Sequence, residues 1–419
     1  MSQVSIVGAY NSKFGALVRK DRETGEVSDL KSIHELVVEA GRGALADAGM
    51  EGRDVDGVWL GACAPGILAN QEHLAALATE IDPAGLRFKP MTRCEDACAS
   101  GSVALYNALY AIEAGRAKVA LVVGAEKMNL LDTKGVTHAL ATCSYWPEEG
   151  GRGVTFPALF ASYARGYQAR YGIDDAALAR MFATVAALGY RNGVDNPLAH
   201  FGKGGPSDKL RLFTAEALLA LPPEKNPFIA APLRLHDCSL VTDGAAAVVL
   251  MRTDDARSAG KTAVEIMGIG HVNERLPISS RPGMHELEAG REAARRAFAE
   301  ARVQVADVDI AEVHDCFSIA QLLTTEALGL SRAGRAGFDY LEGRFTRDDR
   351  CAVNLSGGLK AKGHPVGATG VSMHALLYKQ LCGRPIGATP TRKQPEIGVS
   401  FNVGGSGVTN CVSVLGRAA

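Results

Sequence analysis

Four short segments of this 419-residue chain gather the residue types that covalent or acid–base chemistry needs. In CEDACASGSVALYNAL (94–109), Cys98 lies where a small-residue stretch runs into a helical pattern. A thiol at a helix start meets free N–H groups and the positive end of the macrodipole, which lower its pKa and could also hold an oxyanion. From this segment alone, a small residue packed at a helix cap is the competing reading, and Cys94 is a second thiol nearby. NLSGGLKAKGHPVGATG (354–370) is rich in Gly, suits close backbone approach and delivers one histidine, His364. A phosphate cradle of the P-loop order is absent there, and a loop histidine with a purely structural hydrogen bond is the alternative. EVHDCFS (312–318) sets His314, Asp315 and Cys316 after a strand pattern. Metal ligation by His314 and Cys316 lacks further ligands at useful spacing, so no metal site is expected. FNVGGSG (401–407) leaves backbone N–H groups free to face a ligand.

An internal repeat brings these segments together. Ser32 and Glu35 form a capping box, Ile33, Val37, Ala40, Ala44, Leu45 and Ala48 follow at helical spacing, and Gly49 closes the helix. A short acidic turn then leads to the strand-like DGVWLGAC (56–63). The same plan recurs from Ala297 to Cys316, with seven identities in 20 positions against Ala44 to Cys63. SIVGA near the start answers VEIMGIG at 264–270, ASG at 99–101 answers ATG at 368–370, and VALVVGAE at 119–126 answers IGVSFNVGG at 397–405. Two similar α/β halves should therefore pack with their strand ends meeting, at 1–255 and 262–419. The first half carries an insertion at about 128–235, including the helical DDAALARMFATVAALGYRNG (174–193). Because the helix near Cys98 and the loop ending near Gly370 hold equivalent places in facing halves, a cysteine and a histidine converge. That pairing is the arrangement of covalent acyl chemistry.

Composition narrows the setting. With 45 Lys or Arg against 46 Asp or Glu, the net charge of −1 excludes a whole-surface electrostatic funnel for nucleic acid or anionic lipid. No stretch reads as a membrane span or a signal peptide. Nine cysteines without a CxxC pair suggest neither a disulfide framework nor a zinc site, and a reducing cytoplasm is the expected location.

The motifs CASGS (98–102), HDCF (314–317) and SGGLKAKGHPVGATG (356–370), with DGAAAVVL (243–250) and the opening SIVGAYNSKFG, resemble in order and spacing those of the sterol-carrier-protein type of thiolase. The likeness runs over nearly the whole chain. It implies a duplicated, five-layered αβαβα fold, acyl-CoA substrates with no permanently bound cofactor, a homodimer or dimer of dimers, and Claisen or retro-Claisen acyl transfer. Cys98 matches the family nucleophile, and His364 the histidine that activates it and binds a thioester oxygen. Cys316 matches the acid/base cysteine of this type, whereas Asn402 stands where many thiolases carry a second catalytic cysteine. His314 should line the oxyanion pocket, and the N–H groups of Cys98 and Gly404 a second one. Ser239 matches a serine on the pantetheine arm, with Gly363 and Gly367 beside the CoA substrate. Lys203, Lys209 and Arg211 are candidates for its phosphates. The likeness also allows a CoA-ester retro-aldolase, a non-catalytic subunit, and a small partner combining a zinc ribbon and an OB fold.

Overall fold

The computed structural model describes residues 3–21 and 23–418. Ten strands make one continuous sheet: β1 (Val4–Asn11), β2 (Gly57–Gly61), β3 (Met91–Cys94), β4 (Val119–Glu126), β5 (Gly244–Arg252), β6 (Val264–Asn273), β7 (Ile310–Val313), β8 (Ala352–Val353), β9 (Ile397–Gly404) and β10 (Thr409–Arg417). Their order is β8-β7-β9-β10-β6-β1-β5-β4-β2-β3. Read outward from the β1–β6 junction, the two halves have the same order, so the sequence repeat is a structural one. The halves join by an antiparallel pairing of Val4 with Ile266 and Ile6 with Val264.

The repeat extends to its irregularities. A register shift interrupts β1 between Ile6 and Gly8, and β6 between Ile266 and Gly268. A Cβ on Gly8 would lie 2.6 Å from Ala48 Cβ, and one on Gly268 only 2.4 Å from the Ala297 carbonyl. These glycines therefore let α1 (Ile33–Ala48) and α6 (Glu288–Ala301) lie close on their sheets. The capping box at Ser32 and Glu35 and the left-handed Gly49 bound α1 as its sequence predicts.

Strand alternation makes the layers. In β4, Val119, Leu121, Val123 and Ala125 pack with α1, whereas Ala120 and Val122 face the core built by α2 (Ser100–Glu113) and α8 (Thr369–Leu381). The second half repeats this, with Val399, Phe401 and Val403 of β9 turned toward α6 and α7 (Ser318–Ala327). The result is helix, sheet, central helix pair, sheet, helix: the expected five layers. Helices α2 and α8 touch sheet on both sides, which accounts for their nearly all-round burial.

Within the insertion, α3 (Thr133–Ala141), α4 (Phe156–Tyr171) and α5 (Asp175–Val194) are the longest elements. They belong to the first half in sequence, yet α4 and α5 share a core with α6 and α7 of the second. Phe160 stacks on Phe317 at 4.6 Å, and Ser318 Oγ donates to the Phe182 carbonyl at 3.3 Å. The insertion thus crosses over and covers the mouth between the halves. No helix among the described residues is long and apolar enough to cross a membrane.

Candidate active site

Cys98 sits on a tight turn between β3 and α2. Ala97 takes a left-handed φ of 50°, which is costly for a residue with a Cβ. The turn is over-determined: Ser100 Oγ donates to the Ala97 carbonyl at 2.6 Å and accepts from the Asp96 N–H at 2.9 Å. The helix begins at Ser100, so Cys98 precedes its N-cap, Ala99. The backbone N–H groups of Gly405 and of Cys98 itself favour the charged form of the sulfur. Gly404 immediately precedes Gly405, and a Cβ on it would lie 2.5 Å from the Asp96 carbonyl.

The thiol differs from the acidified one its place before a helix suggests. Burial, reinforced by nearby Cys143 and Glu126, raises its pKa far above the ordinary value, and the two amides offset only part of this. Desolvation wins because the sulfur faces an apolar chamber rather than water.

His364 lies at the head of α8. The Thr369 hydroxyl has one proton, which it gives to the Pro365 carbonyl at 3.0 Å, so at 2.7 Å from His364 Nδ1 it must accept. Nδ1 therefore carries the ring proton and Nε2 is a bare base. Burial and the charge of Lys362 hold the pKa at about 3. His314, on the loop after β7, is buried and likewise neutral, its pKa depressed by burial, His364 and Lys362. The two rings meet edge to face at 5.0 Å. A sulfur from Cys98 and one nitrogen from each of these histidines all lie within 4.8 Å of one another.

The loops carrying these groups are laced together. Asp315 accepts from the N–H groups of Leu359 at 2.7 Å and Lys360 at 3.1 Å, and Glu312 accepts from Ser356 N at 3.0 Å. A strap at 238–241 ties the insertion to both: Cys238 bridges to Phe317, Val241 to His364, and Ser239 N donates to the Cys316 carbonyl at 2.8 Å. Glu126, at the end of β4, accepts from Cys63 N at 2.8 Å and Gly367 N at 3.0 Å, joining the first half to the His364 loop. Burial raises its pKa to about 7.

Cys98, Cys316, His364 and Ser239 line one cavity of about 200 Å³, closed by apolar groups including Leu140, Phe160 and Val366. Cys316 is buried, its thiol pKa raised chiefly by desolvation and then by Cys98, while the Phe317 N–H offsets part of that. Gly363 and Gly367 do not line this cavity. A Cβ on Gly367 would lie 2.6 Å from Ala62 Cα, and one on Gly363 2.7 Å from Thr242, so the loop packs too closely at both positions for a side chain. Lys203, Lys209 and Arg211 are exposed on the loop 198–213, outside the cavity. That loop docks beside the His364 segment through His200 N to the Lys362 carbonyl and Phe201 N to the Ala361 carbonyl, each 2.9 Å.

Cys143 is a cavity residue that no motif announced. Its sulfur is 3.4 Å from that of Cys63, and Cys63, Glu95 and Cys143 form a second trio close enough to ligate a soft ion, besides Cys98, His314 and His364. Only the pseudo-symmetry of Cys63 with Cys316 hinted that position 63 lies near the site.

Residues 4–204 match the family model "Thiolase, N-terminal domain", and 270–417 match "Thiolase C-terminal domain-like". The chain belongs to the thiolase family. It is 36% identical to an acetyl-CoA acetyltransferase of Methanothermobacter thermautotrophicus, with all of both chains covered, and 35% identical to one of Methanocaldococcus jannaschii, with 99% of each covered. In fold it is similar to the Ltp2-ChsH2(DUF35) aldolase, with a TM-score of 0.76 at 21% identity over 99% of this chain and 98% of that one. This thiolase is a thiolase-type acyltransferase, related in sequence to the sterol carrier proteins as well: 29% identity to the rabbit protein covers 91% of this chain and 66% of that one.

Proposed function

We propose that this thiolase interconverts a 3-ketoacyl-CoA plus CoA with acetyl-CoA and a shortened acyl-CoA through an acyl group on Cys98. The observation that carries this reading is the convergence of Cys98 with His314 and His364 within 4.8 Å, where Cys98 and His364 line an apolar cavity. In the cleavage direction the Cys98 sulfur attacks the 3-keto carbon as its proton passes to Nε2 of His364. With the Cys98 thiol pushed up and the His364 imidazole pushed down by desolvation, proton transfer accompanies carbon–sulfur bond formation. The carbon–carbon bond then breaks. The departing acetyl-CoA enolate is held by His314 and receives a proton on carbon from Cys316. His364 then returns its proton to the Cys316 thiolate. CoA finally attacks the acyl-Cys98 thioester, its thiol proton taken by His364 and passed to the departing Cys98 sulfur, while the N–H groups of Cys98 and Gly405 stabilise the tetrahedral oxyanion. The reverse sequence is Claisen condensation.

We infer that Ser239 contacts the pantetheine arm and that Lys203, Lys209 and Arg211 receive the CoA phosphates. Support for this comes from Ser239 lining the cavity and from the docking of the 198–213 loop on the His364 segment. A cytoplasmic homodimer is the setting we assign, since nine free cysteines suit a reducing compartment. The similar Ltp2-ChsH2(DUF35) aldolase is named as a pairing of two components, which supports testing for a small partner here.

The direct test is CoA-dependent cleavage of 3-ketoacyl-CoA substrates of increasing chain length, with Cys98→Ala alongside. Cleavage lost in Cys98→Ala agrees with the covalent route. Release of acetyl-CoA from a 3-hydroxyacyl-CoA by Cys98→Ala would instead make the protein a retro-aldolase.

A further inference from the structure

Asn402 lies on β9 with no exposed surface, and its amide makes three hydrogen bonds. Nδ2 donates to the Cys98 carbonyl at 3.0 Å and contacts His314 Nδ1 at 3.1 Å, while Oδ1 accepts from Ser102 Oγ at 2.9 Å. The atom facing the Cys98 carbonyl has to be the nitrogen, because two carbonyl oxygens at that distance repel. This fixes the orientation of the amide independently of its other contacts. Its second N–H then faces His314 Nδ1. An amide nitrogen donates and does not accept, so Nδ1 of His314 must be the bare, accepting nitrogen.

The anchor depends on a glycine. Ser102 is in the first turn of α2, and a Cβ on Gly370 would come within 2.3 Å of Ser102 N and 2.5 Å of Asn402 Oδ1. Gly370 thus leaves the space in which a serine of one half meets an asparagine of the other.

We propose that Asn402, held by Ser102, is a positioning residue that locks His314 in the tautomer with its proton on Nε2. That ring can then only donate, to an oxyanion, and cannot compete with His364 as base. The Thr369 hydroxyl sets His364 in the opposite tautomer, so one pair of adjacent histidines is divided into a donor and an acceptor by two unlike hydrogen-bond partners. The catalytic meaning rests on the reading of Cys98 and His364 given above, but the tautomer itself does not.

The test uses the whole protein labelled with nitrogen-15 histidine, with resonances assigned by His314→Gln and His364→Gln variants. Nitrogen shifts report directly which ring nitrogen bears the proton. The expected result is a bare Nδ1 and protonated Nε2 for His314, and the reverse for His364. A protonated Nδ1 on His314 would overturn the proposal even if the enzyme is fully active as a thiolase. In Asn402→Asp the carboxylate can only accept, so His314 should gain a proton on Nδ1. The kcat for thiolysis should fall on the order of 100-fold, as for loss of one oxyanion donor, with the KM for CoA little changed. Asn402→Leu should give a mixture of tautomers and a smaller loss. A purely structural asparagine would lower stability in both variants while leaving the His314 nitrogen shifts as in the parent, which contradicts the proposal.

Discussion

Replacing Thr369 by valine removes one hydroxyl from the support of His364 and keeps the side chain's shape. The hydroxyl is fully buried and makes two bonds, accepting from His364 Nδ1–H at 2.7 Å and donating to the Pro365 carbonyl at 3.0 Å. In the valine variant the ring has two options. It can keep its proton on Nδ1, leaving a buried donor unpaired at a cost of about 1–3 kcal/mol. Alternatively it moves the proton to Nε2, which withdraws the lone pair that takes the Cys98 proton. Either way the reactive form is depleted by that free energy, and at about 1.36 kcal/mol per tenfold kcat should fall roughly 5- to 150-fold. Steady-state thiolysis and condensation assays measure this, with the thermal midpoint recorded in parallel. Thr369→Ser keeps the oxygen and should stay within a few-fold of the parent. A valine variant with kcat within twofold of the parent would refute the argument, as would serine and valine variants equally impaired.

Other outcomes follow from the same geometry. Glu126 has a folded pKa of about 7 against an ordinary 4.5, so the folded state holds more protons than the unfolded one between these values and stability declines as pH rises through that window. Glu126→Gln should flatten this decline by on the order of 3 kcal/mol, measured by urea unfolding at pH 5 and 8; an unchanged difference between the two pH values would count against a buried, desolvated carboxyl. Gly101→Ala puts a Cβ 2.8 Å from the Gly367 carbonyl and 2.9 Å from Val371 N, both backbone atoms, so a loss of about 1–3 kcal/mol in unfolding free energy and a displaced His364 loop are expected. Cys316→Ala should reduce condensation and cleavage by roughly 100- to 10,000-fold while leaving acyl transfer onto Cys98 intact, a split that isotope exchange between CoA and acetyl-CoA can read.

Much of the architecture is legible in the sequence. Of the seven identities between 44–63 and 297–316, Ala44 with Ala297 and Ala48 with Ala301 mark where α1 and α6 meet their strands, because close helix–sheet contact needs small residues at fixed spacing. Local signals at Ser32, Glu35 and Gly49 sufficed for α1, since a capping box and a left-handed cap depend on neighbours in sequence. The convergence of Cys98 and His364 was likewise readable from the duplication. What escaped is what distant packing decides. The pKa of Cys98 is set by an apolar chamber walled in part by the insertion, and not by the helix it precedes. Cys143 reaches that chamber from a stretch with no pattern of its own. The bonds from Ser102 to Asn402 and from Glu126 to Gly367 join residues hundreds of positions apart, and nothing in either local sequence encodes the partner. Gly363 and Gly367 show the same dependence on distant packing, since a Cβ on either would meet Thr242 or Ala62 across the chain.

The central claim is an acyl group carried on the sulfur of Cys98, and mass spectrometry after incubation with acetyl-CoA tests it most directly. The account predicts one acetyl group per chain on the peptide containing Cys98, absent in Cys98→Ala and discharged by added CoA. A folded protein that stays unlabelled, or that carries the acetyl group on Cys143 or Cys316 while Cys98 is free, would contradict it.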